Sequence, residues 1–133
     1  MTIIKSITST LACSVVLAFT ASAEIVIGSG GVFRLQAHSP LAEMPVHSFV
    51  EVEFTLTDME NMPVTGAEIR LSGGMRAHGH GLPTRPLVQE LDAGRYIVKG
   101  LKFSMPGAWE LQFHVEIDEY AEQIRLDFVI NDD

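Results

Sequence analysis

Thiols, positive charge and long apolar runs are what this sequence has least of. One cysteine occurs among 133 residues, and that one, Cys13, lies in an N-terminal stretch with the marks of an address label. Lys5 gives a positive start. Ile7 to Phe19 is an apolar run too short to span a bilayer comfortably, and Ala21-Ser22-Ala23 has the small-x-small pattern that signal peptidase cuts. Cleavage after Ala23 is expected, so residues 1–23 are a signal peptide and residues 24–133 the mature domain. The residues before Cys13, Thr10-Leu11-Ala12, do not make a lipid-modification box. The mature chain then has no thiol, which excludes disulfides and a nucleophilic cysteine. It has no second long apolar run either, so membrane insertion of the mature chain is not expected, and the location is periplasmic or secreted.

The shortage of basic residues excludes another class. Without Lys5, eight Lys and Arg face 17 Asp and Glu, a net charge of −9 with histidines neutral. A surface of that sign repels phosphate backbones, so nucleic acid is excluded as a partner. It also raises the local concentration of cations. The acidic residues are scattered, however, which is the ordinary pattern of a solvated surface.

What the chain does have is alternation. Val50, Val52, Phe54 and Leu56 share one face of Ser48 to Leu56, with Glu51, Glu53 and Thr55 on the other, the period of a half-buried strand. Trp109, Leu111, Phe113, Val115 and Ile117 repeat the pattern, as do Ile124, Leu126, Phe128 and Ile130. Shorter candidates are Val32 to Ala37, Val64 to Leu71, Leu87 to Leu91 and Arg95 to Phe103. Turn signals separate them: Asp58 to Pro63, the tight Asp92-Ala93-Gly94, and Met105-Pro106-Gly107. About 110 residues suffice for one core without staples. The expectation is all-β: a single antiparallel immunoglobulin-like β-sandwich of about seven strands, with a small open barrel as the competing architecture. Trp109 is expected to pack centrally with Tyr96 and Phe113.

The densest chemistry is the segment from Gly73 to Thr84, which holds His78-Gly79-His80-Gly81. Residues two apart on a strand point the same way, so His78 and His80 can converge on one ion, and the glycines also permit a turn that does the same. Imidazole suits copper, zinc and nickel alike; a thioether from Met75 or Met105 tilts the choice to copper. The competing reading makes His78 a loop hydrogen-bonder, the glycines turn residues and the methionines core filler. His38, His47 and His114 are expected to be ordinary exposed histidines. Met59 and Met62 form at most a weak methionine patch.

No enzyme signature stands out. Ser72 next to Gly73-Gly74 lacks a nucleophile elbow, and Gly28-Ser29-Gly30-Gly31, with no following helix or lysine, is a flexible leader rather than a phosphate cradle. Adjacent carboxylates such as Asp118 and Glu119 fall in polar turns. No catalysis is expected.

The run Gly73-Gly74-Met75 through His78-Gly79-His80-Gly81-Leu82-Pro83-Thr84-Arg85-Pro86, followed by Gly94-Arg95-Tyr96, Gly100-Leu101-Lys102-Phe103-Ser104-Met105-Pro106-Gly107 and Trp109-Glu110-Leu111, resembles the YtkA-like family of exported bacterial domains. The resemblance covers roughly Pro63 to the C-terminus; Glu24 to Pro45 do not contribute to it. It implies an immunoglobulin-like β-sandwich, found alone or attached to copper-handling and oxidase-assembly proteins such as the FixH-like ones. If family members bind copper through this loop, the matching positions are His78 and His80, with Met75 and Met105 as thioether ligands. Two functions follow. One is a metal-handling accessory protein that passes copper to a cuproenzyme or membrane-protein partner in the cell envelope. The other is a metal-free interaction module, with the glycine-rich loop and Leu82-Pro83 as its recognition surface. Intact-mass measurement of the exported protein is expected to place Glu24 first; a product that retains residues 1–23 refutes the cleavage.

Overall fold

The computed structural model describes residues 24–132, so the expected signal segment and its cleavage point lie outside the described residues. The alternating stretches become strands that bury their apolar faces against one another. Nine strands form in chain order: β1 (Ile25–Ile27), β2 (Phe33–Ala37), β3 (Phe49–Asp58), β4 (Glu68–Met75), β5 (His80–Gly81), β6 (Leu87–Asp92), β7 (Arg95–Lys102), β8 (Gly107–Ile117) and β9 (Tyr120–Ile130). They make two antiparallel sheets, β1-β2-β3-β7-β6 and β5-β4-β8-β9. This is the expected sandwich, and none of the described segments is a helix long and apolar enough to cross a membrane.

The seven expected strands are all present, with shifted ends. The two additional strands, β1 and β5, have three and two residues, too short for alternation to register. The expected start at Val64 moves to Glu68, because Val64 donates its N–H to the Leu56 carbonyl and so lies along β3 instead. The long hairpin β8–β9 pairs Gly107 with Ile130 through Ile117 with Tyr120.

Between the sheets lie Leu35, Phe54, Leu56, Val98, Leu101, Phe103, Leu111, Val115, Ile124 and Leu126, all essentially sequestered from water. The central aromatic contact differs from expectation. Phe54 is the ring that meets both Tyr96, at 5.6 Å, and Phe113, at 5.1 Å. Trp109 sits one end further along β8 and packs edge-on against Phe103 at 5.1 Å. Phe113 lies four strand steps beyond Trp109, about 13 Å, so both cannot cap the same contact.

The segment Gly28 to Gly31, expected as a flexible leader, is held on both sides. Gly28 donates to the Phe33 carbonyl at 3.0 Å and Ser29 to the Gln123 carbonyl at 3.2 Å. The Glu122 carboxylate, on β9, lies directly against Gly28, where a Cβ would stand 2.2 Å from its carboxyl carbon. It accepts the N–H groups of Val32 at 3.2 Å and Phe33 at 2.8 Å. A buried acid is thereby satisfied by backbone, and it ties one sheet to the other.

Tyr96 makes the other polar tie in the interior. Its hydroxyl donates to the Val64 carbonyl at 2.8 Å and accepts the Ala67 N–H at 3.2 Å. Burial pushes its pKa above the ordinary phenol value of 10.0, the Ala67 hydrogen bond opposes this, and the charge of Glu90 adds to it. A raised folded pKa means that the stabilisation is complete below about pH 10 and is lost as pH rises through the folded value. Tyr96→Phe is expected to lower unfolding free energy by roughly 1–3 kcal/mol. Thermal melts should show that loss at neutral pH, together with a flatter profile above about pH 10 than the parent protein.

Candidate functional site

The last three residues of β4, Gly73-Gly74-Met75, carry the chain into the histidine loop. Gly73 passes so close to β8 that a Cβ there would meet the Glu110 carbonyl at 2.2 Å, and at Gly74 one would meet the His80 carbonyl at 2.2 Å. Both glycines are required by proximity to neighbouring backbone. After Met75 the chain makes a single 3-10 turn over Arg76–His78, closed by Gly79 in the left-handed region at φ 66°, whose N–H returns to the Arg76 carbonyl. That turn reverses the chain, so β5 lies back along β4 with Met75 opposite His80 and Gly74 opposite Gly81.

The reversal fixes where the two imidazoles stand. The rings of His78 and His80 are 6.0 Å apart between centres and inclined by 28°, and both residues are exposed. A ring nitrogen lies about 2 Å from a bound transition ion, so two rings sharing one ion can have centres up to about 6 Å apart. The observed separation is at that limit. His80 Nδ1 lies 3.1 Å from the Gly81 carbonyl. A carbonyl only accepts, so in the neutral ring Nδ1 carries the proton and Nε2 keeps its lone pair. A backbone-oriented imidazole with one nitrogen left open is a common arrangement for a ligating histidine.

The thioethers divide. Met75 is 1% exposed and, as the residue directly opposite His80, shares its face of the sheet. The Met75 methyl lies beneath Gly107, where a Cβ would approach it to 2.8 Å. Met105 is 37% exposed, and its carbonyl accepts the Trp109 indole N–H at 3.0 Å. Trp109 in turn meets His80 edge-on, with ring centres 5.9 Å apart. His78, His80 and Met75 thus gather at one end of the sandwich, and Met105 joins them through Trp109.

Beneath the 3-10 turn lies a clamp that alternation did not announce. Glu110, on the polar face of β8, keeps only 11% of its side chain exposed, with Arg76 Nε at 2.6 Å and Arg125 Nε at 3.3 Å from its Oε2. Neither approach is aligned as a hydrogen bond, so charge proximity compensates this oxygen. The other carboxylate oxygen accepts from Gln112. The hydrogen bond to Asp127 holds the Arg125 pKa above its ordinary value, opposed by desolvation and helped by the charges of Asp127 and Glu110. Arg76, Ala77, Trp109, Glu110, Asp127 and Phe128 contribute to the walls of a shallow cavity of about 350 Å³ next to the loop.

Imidazole and thioether are donor types that suit copper; here the two imidazoles are exposed and Met75 is buried. They do not make a closed structural site. Among the described residues, no group of three or more His, Cys, Asp or Glu side chains is placed to hold a metal ion. Of the remaining three histidines, His47 is exposed as expected, His38 is exposed and meets the Thr55 hydroxyl at 2.7 Å, and His114, half-buried rather than exposed, meets the Ser72 hydroxyl at 3.2 Å.

The YtkA-like family model matches residues 31–114, well over half of the chain. The chain belongs to the YtkA-like family. The match begins at Gly31, at the turn into β2, so residues 31–45, expected to lie outside the resemblance, fall within it, and it ends at His114 rather than at the C-terminus; it spans the histidine loop, Met105 and Trp109 but not β9. No curated protein and no solved structure shows significant similarity to the chain.

Gly74→Ala is expected to force β5 off β4, since its Cβ would stand 2.6 Å from the Gly81 Cα as well as against the His80 carbonyl. Trp109, the single tryptophan, reads this out: its fluorescence should shift as His80 leaves it, and stability should fall by roughly 1–3 kcal/mol. An unchanged spectrum and melt would show that the close approach is not required.

Proposed function

We propose that this YtkA-like protein is an exported, non-enzymatic accessory protein of the cell envelope that carries copper on His78 and His80, with Met75 and Met105 as thioether donors, and passes it to a cuproenzyme or membrane protein. The observation that carries the proposal is the approach of the two rings to 6.0 Å, with Met75 opposite His80 in the β4–β5 register. Copper, when bound, supplies only its own redox state and ligand preference. The chain's residues orient the imidazoles, leave Nε2 of His80 open and keep both rings on an exposed loop from which an ion can leave, with Met75 buried at the end of β4. The negative field of the domain favours cation capture.

A second reading makes the same loop a protein-recognition surface. Exposure of His80, Gly81 and Pro83 on a rigid β scaffold favours it.

Titration of residues 24–133 with reduced copper, oxidised copper and zinc separates the two. Trp109 lies in ring contact with His80, so copper binding should quench its fluorescence, and reduced copper should bind more tightly than zinc. The double variant His78→Ala/His80→Ala is expected to weaken binding by at least about tenfold, equivalent to ~1.4 kcal/mol. Met75→Leu should weaken reduced copper more than zinc. Equal binding by parent and double variant would sink the loop site, and no binding by either would favour the recognition surface.

A further inference from the structure

The second sheet is left open along most of β4. That strand pairs β8 from Glu68 to Gly74 on one side, but on the other β5 covers only Gly74 and Met75. The Leu82 N–H donates to the Gly73 carbonyl at 3.0 Å, so the main chain of Gly73 faces away from β8. Strand geometry alternates, so the N–H and C=O groups of Ile69 and Leu71 face the same way. None of the hydrogen bonds among the described residues satisfies these groups.

They do not face open water. Segment 82–88 forms an opposite wall, and the groove between has a volume of about 560 Å³, with Ile69, Leu71, Leu82, Pro86 and Val88 supplying apolar surface. Its two ends differ in charge. Arg85, three residues past Leu82, is exposed and makes no ion pair among the described residues; at the other end Glu68 is likewise without an ion pair there, and Arg70, which also lines the groove, is paired with Glu116.

We propose that this groove binds an extended segment of a partner polypeptide as an additional strand on β4, antiparallel to it, with an acidic residue at the segment's N-terminal end against Arg85 and a basic residue towards Glu68. Alternating backbone donors and acceptors along one line are matched by the main chain of another extended polypeptide, which gives the ligand class. The short β5 already uses the last two positions of this edge in that orientation, and the partner strand continues its line. A second copy of this chain fits the groove poorly: its own β4 edge would bring the opposite wall and a second sheet with it, and each domain carries the same net negative charge. The inference is independent of metal binding, and it places the partner next to the histidine loop.

The probe is an N-acetylated, C-amidated hexapeptide with glutamate first, lysine last and alternating threonine and valine between. At about 1 mM it is expected to shift the amide resonances of Ile69 and Leu71 in the metal-free protein and to slow their hydrogen exchange by roughly tenfold. A peptide with the two charges exchanged should bind more weakly, and one with alternate amides N-methylated should not bind. Leu71→Pro removes one outward N–H and leaves the β8 ladder bonds in place, a position at which an edge strand tolerates proline; it should abolish the shifts. If that variant melts far below the parent, Arg85→Glu serves instead, and it should reverse the preference between the two charged peptides. Absence of shifts, equal binding of the N-methylated peptide, shifts confined to β1 or β6, or protection of Ile69 and Leu71 that rises with protein concentration alone would each overturn the proposal.

Discussion

Backbone proximity at Gly73 and Gly74 is the constraint on which the histidine-loop end of the molecule depends. β4 passes there between β8 on one side and the returning His80-Gly81 on the other, and a side chain at either position would collide with carbonyl oxygens about 2.2 Å away. Because the strand can be gripped from both sides, a two-residue β5 can form at all. That pairing sets Met75 opposite His80, turns His80 towards Trp109 and leaves His78 on the 3-10 turn, with its ring near that of His80. Gly79 completes the reversal with a dihedral that other residues adopt rarely.

Charge is used in two different ways in this acidic chain. Most carboxylates lie on solvated faces, where their sum is a long-range field and little else. Glu110 and Glu122 are the buried exceptions. Glu122 takes backbone N–H groups and fastens the β1–β2 turn to β9, while Glu110 draws Arg76 and Arg125 together under the histidine loop. Removing Glu122 would leave the buried Phe33 N–H without its acceptor, which costs more than the loss of a surface ion pair, whereas Arg76 and Arg125 remain solvated without Glu110. Glu110 shares the polar face of β8 with Gln112 and His114, whereas Glu122 continues the inward-facing set Ile124 and Leu126 of β9.

The two ends of the proposed function share β4. Its last residues hold the histidine loop, and its earlier residues present the open edge, so a segment docked on that edge would lie directly beside Leu82 and the loop that precedes it. With the open edge and the histidine loop on one strand, the distance between them is set by the sheet rather than by a flexible connection.

Alternation carried by Val50 to Leu56, Trp109 to Ile117 and Ile124 to Ile130 was enough to give the strands, and the turns at Asp92-Ala93-Gly94 and Met105-Pro106-Gly107 enough to separate them, because burial of one face imposes a period of two on the sequence itself. The histidine pair was equally visible, since it depends on neighbouring positions in the chain. The aromatic centre was not: Phe54 took the place expected of Trp109, because which ring meets which is decided by register between strands far apart in sequence. The glycine segment at Gly28 to Gly31 read as loose for the same reason, its restraint coming from Glu122 more than 90 residues away. Local pattern therefore determined the elements and the candidate ligands, whereas only tertiary pairing decided that Met75 opposes His80, that Glu110 is buried between arginines and that the edge of β4 is left open. Those outcomes are sums of long-range contacts, and no stretch of chain carries them alone.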